Sequence, residues 1–215
     1  MRESRRPPLF SRVSPVFTAM TGLLFFRRFH ARFLMKCCIF VAVNRLKQWL
    51  VWLSRIHRCR GFGIHSPIDY AFVRYVINEH WPYYAYDELR DADWLEEKLG
   101  RLYFRLANWR QPSYMVSDRY LRYWQAGCKH ITFVDNISDK VELARIDIED
   151  TDQCREIIAR CNEDSVVVVE KIWQNNILWR ELAGHPAVSV AYDLYYCGIL
   201  IFRGNYYKRY YTINF

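Results

Sequence analysis

The stretch Ser165-Val166-Val167-Val168-Val169-Glu170-Lys171 decides the fold. Successive side chains of an extended chain point to opposite faces, so four valines in a row make both faces apolar. A strand apolar on both faces belongs at the centre of a largely parallel sheet, covered by helices on each side. The acid and the lysine that follow stand at the carboxyl end of that strand, where open α/β sheets place their ligands.

Short β-branched runs flank this strand and are separated by helical pieces, the pattern of βαβ crossovers. The strands expected are 113–117, 130–135, 141–147, 165–171, 188–194 and 198–203, with a last one at 210–215. Helical pieces are expected at 119–126, 151–161 and 175–184. Only Tyr195-Tyr-Cys-Gly198 separates the fifth and sixth strands, too few residues for a crossover, so that pair should be antiparallel. From Pro112 to Phe215 there are 104 residues. A full βαβ unit takes about 30 residues, so six or seven strands with every crossover do not fit. The shortest gap, Asp135 to Val141, cannot carry a helix back across a sheet, which implies a missing third strand and its helices.

The amino-terminal half reads as helical. Ile39, Val43, Leu46, Trp49, Leu50, Leu53 and Ile56 recur at spacings of three and four, with Arg45, Lys47, Arg55 and Arg58 elsewhere on the wheel. This amphipathic helix reads first as one packed on its own domain and second as a membrane-surface or acidic-partner helix. In Gly61-Phe-Gly-Ile-His-Ser-Pro-Ile-Asp69, Ser66 suits an N-cap, Pro67 the first helical position and Asp69 the first turn. Ile68, Phe72, Tyr75 and Val76 should form the apolar stripe of that helix, which Trp81-Pro82 ends. A longer helix, about 87 to 109, carries a seam of Leu95, Leu99, Leu102, Leu106 and Trp109. Tyr83-Tyr-Ala-Tyr86 reads as loop tyrosines capping the helical layer. His65 reads as a structural residue bonded to a loop carbonyl, and His185 as a helix terminus.

The 215 residues carry a net charge of +8, are 52% hydrophobic and 17% aromatic, and include only 8 Gly and 7 Pro. That composition excludes a disordered chain, collagen and Gly-rich linkers. The charge is lopsided: residues 1–60 hold 13 of the 31 basic residues and one of the 23 acidic ones, leaving 18 against 22 in the rest. An anionic partner must therefore meet the leader, so a membrane or nucleic-acid contact through residues 2–60 is an expectation. The longest uncharged run there, Val13 to Phe26, is shorter than the ~18–20 residues of a membrane span. Residues 1–36 read as a disordered or mis-started basic leader, with Met35 as an alternative start. Seven cysteines without paired spacing read as free thiols of a reducing compartment, hence a cytoplasmic protein.

Arg60-Gly-Phe-Gly-Ile-His-Ser-Pro-Ile68, Tyr83-Tyr-Ala-Tyr-Asp-Glu-Leu-Arg90, Leu102-Tyr-Phe-Arg-Leu-Ala-Asn108 with Gln111-Pro112, and Tyr192-Asp-Leu-Tyr-Tyr-Cys-Gly-Ile-Leu-Ile-Phe-Arg203 with Tyr210-Tyr-Thr-Ile-Asn-Phe215 carry a resemblance. Over residues 45–215 the chain resembles a bacterial family of class I S-adenosylmethionine-dependent methyltransferases with a His-Ser-Pro-Phe motif, here with Ile68 for the phenylalanine. The resemblance implies an α/β, Rossmann-like class I methyltransferase sheet, truncated and with an antiparallel C-terminal hairpin. An N-terminal helical region, 37–111, precedes the core, 112–215, and covers the cofactor cleft.

The resemblance also implies site residues. Asp118 stands where the acid ending the first strand would be, with the N-cap of the following helix as its other reading, and Asp135 where an acid holds the cofactor ribose. Asp147 and Glu170 correspond to strand-end acids near the methyl acceptor, which in related enzymes ligate a divalent cation. Lys171 repels a cation, so no metal is expected. The cofactor loop departs most: no glycine lies between Gly100 and Gly127, and Arg119, Tyr120 and Leu121 fill the turn that glycines would open. The expectation is a degenerate methyltransferase-like protein without S-adenosylmethionine binding, acting through a protein partner or as a homo-oligomer. The alternatives are an active S-adenosylmethionine-dependent O-methyltransferase on a small hydroxyl substrate, and a basic peripheral membrane or nucleic-acid adaptor.

Overall fold

The computed structural model describes residues 46–59, 61–134, 141–204 and 207–215. The chain divides into two compact units, Met1–Val51 and Trp52–Phe215. Helical backbone occupies 46–54 (α1) and is followed by a 3-10 turn, Ile56–Arg58. The helices of the second unit are α2 (Pro67–Phe72), α3 (Ala85–Glu88), α4 (Trp94–Arg110), α5 (Leu121–Gly127), α6 (Thr151–Arg160) and α7 (Asn176–Gly184). Its strands are β1 (Tyr114–Val116), β2 (Thr132–Phe133), β3 (Val141–Asp147), β4 (Cys161–Glu170), β5 (Val190–Asp193), β6 (Cys197–Ile201) and β7 (Arg209–Thr212).

The protein is α/β, with one mixed seven-stranded sheet in the order β2-β1-β3-β4-β6-β5-β7. Strands β2, β1, β3 and β4 run parallel, β6 lies antiparallel to both β4 and β5, and β7 runs parallel to β5. This arrangement is consistent with a Rossmann-like sheet, and the valine strand sits at its centre as expected. Val166 and Val168 pack on Leu143, Ile199 and the α4 leucines Leu99, Leu102 and Leu106. Val167 and Val169 face the other way, onto Ile157 and Ile158 of α6 and Trp179 and Leu182 of α7. Side-chain caps start the helices of both layers: Ser66 accepts from the Asp69 amide, Asp150 from Gln153 and Asn175 from Leu178.

Seven strands form among the described residues, at about the expected places. Strand β2 is short. Phe133 and Leu143 both stand opposite Met115, and β3 begins only two residues earlier, at Val141. Strands β2 and β3 thus flank β1, and residues 135–140, which join them, lie outside the described residues. Among the described residues β2 is the edge strand on that side.

Other expectations are corrected by packing. The helix expected over 87–109 is two pieces, with a break at 89–93 where the Leu89 carbonyl and the Asp91 carboxylate accept from the Tyr123 hydroxyl. The stripe of α2 and the π-helical turn after it, Val73–Ile77, is Phe72, Val73, Val76 and Ile77, all buried, whereas Ile68 and Tyr75 are exposed. The extra residue per π turn advances the buried face past the positions that 3.6 residues per turn select. Trp109 leaves the leucine seam, meeting Phe72 edge-on at its exposed end. Strand β4 starts earlier than expected, at Cys161, and stops at Glu170 because Lys171 turns into the left-handed region (φ 55°). Leu46, Trp49, Leu50 and Leu53 of α1 are about half exposed. Of the tyrosine cluster, Tyr83 and Tyr86 pack edge-on against Phe104, while Tyr84 is exposed.

Helices α4 and α5 cross at two glycines. A Cβ on Gly100 would lie 2.5 Å or less from the Tyr123 ring, and one on Gly127 would lie 2.3 Å from the Phe104 carbonyl oxygen. The two glycines that bound the glycine-free turn are thus used for helix contact.

Asp69, the acid of the His-Ser-Pro segment, has a second role besides its place in the first helical turn. It is fully buried, and its carboxylate accepts from Arg209 Nη1 (2.7 Å), Tyr211 Oη (3.2 Å) and Arg203 Nη1 (3.4 Å). The motif is thereby fastened to β7 and to the residues following β6. His65 is exposed, and its ring makes no hydrogen bond among the described residues, so the expected loop-carbonyl contact is not formed. His185 does stand at the end of α7, where its Nδ1 accepts from the Ala187 amide.

Candidate functional site

The strand order changes direction between β1 and β3, and the crevice above the carboxyl ends of these strands is where a doubly wound sheet holds its ligand. Asp118 lies two residues beyond β1, Asp147 ends β3 and Glu170 ends β4. The expected acids therefore converge on one end of the sheet. Asp135 lies outside the described residues.

What they converge on is an arginine. Alternation along β3 puts Arg145 on the same face as Leu143 and Asp147, under α4 and α5, and the residue is 4% exposed. Its Nη1 donates to Asp118 Oδ1 at 2.7 Å, and its Nη2 makes a direct ion pair with Glu170 Oε2 and lies 3.9 Å from Asp147 Oδ2. The other Glu170 oxygen accepts from the Tyr103 hydroxyl at 2.6 Å. Glu170 is 2% exposed, so both of its oxygens are engaged away from water.

Burial opposes the Arg145 charge, but the Glu170 hydrogen bond and the neighbouring carboxylates outweigh it, so its pKa lies above the ordinary value. Tyr103 is pushed well above the ordinary phenol range, first by burial and then by Glu170, and stays protonated as a donor. The Asp147 carboxylate is taken by Lys171 Nζ (2.6 Å), which also reaches Glu149 (3.2 Å). Among the described residues no group of three or more His, Cys, Asp or Glu side chains could hold a metal ion.

The turn after β1 is occupied as well. Tyr120 adopts φ 59°, a left-handed conformation that glycine takes without a Cβ penalty. Its ring meets Tyr103 edge-on at 4.9 Å, and Tyr103 stacks on Trp124 at 4.6 Å. Arg119 pairs with Glu96 of α4 (2.7 Å) and approaches Glu170 (3.9 Å). Bulky side chains thus stand where a glycine turn would leave room at a helix start.

Arg145 and Tyr103 were not singled out by sequence reasoning, whereas Tyr120 was read as filling the turn. A signal existed for Arg145: it and Asp147 alternate with Leu143 on one face of the strand, while Glu142 falls on the other, and a cation two residues from an acid on a face shared with leucine marks a buried paired group. The cysteines Cys59, Cys128, Cys154, Cys161 and Cys197 are free thiols, and burial pushes Cys154 and Cys161 up to about 12. Among the described residues no helix is long and apolar enough to cross a membrane. Comparisons of the chain with protein-family models, with curated proteins and with solved structures find no match.

Proposed function

We propose that this protein is a methyltransferase-like scaffold that does not take up S-adenosylmethionine and works by binding other molecules. The observation that carries the reading is Arg145, a buried cation that engages Asp118 and Glu170 at the switch point of the sheet. Acids free to meet a ribose, an amino group or an acceptor hydroxyl are what a methyl-transfer site needs, and here they neutralise an internal charge. The sheet order supports the family resemblance: β2-β1-β3-β4 is the doubly wound order 3-2-1-4-5 without its outermost strand, continued by an antiparallel pair.

Calorimetric titration of the full chain with S-adenosylhomocysteine tests this. No saturable heat up to millimolar ligand is expected. A micromolar dissociation constant would overturn the reading in favour of O-methyl transfer, with Asp147 and Glu170 beside the acceptor and Asp118 and Asp135 toward the cofactor. Binding to anionic vesicles or RNA through residues 2–60 is the separate adaptor reading. It predicts affinity that falls steeply with salt and disappears when 1–60 is removed.

A further inference from the structure

A groove of about 890 Å³ opens beside α4, about a quarter turn round the helix from the leucine seam. Its volume lies within the range of about 300–1,000 Å³ usual for small-molecule sites. One stripe of α4 lines it: Trp94, Lys98, Arg101 and Arg105, at steps of four, three and four. The aromatic walls are Trp52, Trp81, Trp94 and Phe215, and the three tryptophans are about half exposed or more.

The formal charges lining this groove balance, Lys98, Arg101 and Arg105 against Glu79, Asp87 and Glu97, but their pairing is uneven. Arg101 pairs with Glu97, and the buried Arg105 donates to the Val76 and Ile77 carbonyls and the Tyr86 hydroxyl. Of the other acids, Glu79 accepts from Tyr83, and Asp87 pairs with Arg90. Lys98 has no carboxylate within 4 Å among the described residues, and its ammonium rests on the rings of Trp94 (4.9 Å) and Phe215 (4.5 Å). Two buried wall atoms without a hydrogen-bond partner, Asn78 Nδ2 and Arg101 Nε, are also donors. Burial with no compensating acid lowers the Lys98 pKa to about 8.

We infer that this groove is a binding site for a small aromatic carboxylate, whose charge pairs with Lys98 and whose ring stacks among the tryptophans. A single partly exposed cation without a carboxylate partner among the described residues suits a monoanion, in contrast to a polyphosphate, which needs several. Flat indole faces favour a planar body over a flexible chain. A carboxylate oxygen on Lys98 would form a charge-assisted hydrogen bond in a partly desolvated setting, the strong class of such bonds.

The test uses the full chain and two probes of one shape, 2-naphthoate and the neutral 2-naphthamide, titrated by calorimetry. Saturable naphthoate binding is expected, weakened about tenfold or more by Lys98→Met and within about threefold of the parent in Lys98→Arg. Naphthamide should bind the parent and Lys98→Met equally and more weakly than naphthoate binds the parent. Absence of saturable naphthoate binding, indifference to Lys98→Met, or equal affinity for acid and amide would each overturn the assignment. The outcome is independent of whether S-adenosylhomocysteine binds, since the groove contains none of the strand-end acids.

Discussion

At the scale of single residues, two cations set the character of the molecule by opposite means. Arg145 is buried and paired, so removing it leaves Glu170 buried without its counter-charge. Arg145→Met is expected to destabilise by about 3–5 kcal/mol in denaturant unfolding, the usual cost of breaking a buried pair from one side. Adding Glu170→Leu should recover much of that loss, because two apolar groups leave no orphaned charge. Lys98 is partly buried and unpaired, so its charge works against folding. The unfolded chain takes up that proton below the ordinary lysine value of 10.5, the folded protein only below about 8. The penalty is therefore complete below pH 8 and fades as pH rises from 8 to 10.5. Lys98→Met should raise the melting temperature at pH 7 by roughly 2–4 °C, corresponding to ~1 kcal/mol after discounting its partial exposure, and the gain should vanish near pH 10.5. Cys197 and Arg105 are the titratable neighbours that act on Lys98. The thiol is pushed well above its ordinary value by burial and by Glu170, so it contributes no charge across this window.

At the scale of elements, contacts between helices depend on missing side chains. Gly127→Ala directs a methyl group at the Phe104 backbone oxygen, which cannot swing aside as a side-chain tip can. A loss of about 1–3 kcal/mol is expected, read as a lower urea midpoint at unchanged slope. The leucine seam of α4 was legible from its spacing, since burial selects one stripe of a helix. The flanking stripe, Trp94, Lys98, Arg101 and Arg105, has the same periodicity, but periodicity cannot say which charges find partners. The split of the helix expected over 87–109 was not legible, because Tyr123, more than thirty residues later, supplies the hydroxyl that holds the break.

At the scale of the whole molecule, Asp69 joins the His-Ser-Pro helix to the last strand across more than 130 residues. Asp69→Asn leaves Arg209 and Arg203 facing a neutral amide. It should cost several kcal/mol, about 3–5 by the measure of other buried pairs, and show as early hydrogen exchange of β7 amides. The sequence alone determined the α/β class, the central valine strand, the antiparallel pair β5 and β6, the Ser66-Pro67 helix start and the crowding of the turn after β1. Each follows from alternation, spacing or the backbone freedom of one residue type, which act locally. Tertiary structure alone decided that Asp118 and Glu170 meet Arg145, that Asp69 meets Arg203 and Arg209, and that Lys98 meets no acid among the described residues. A charge carries the same label in every sequence, and whether it is satisfied depends on which distant segments the sheet order brings within about 4 Å.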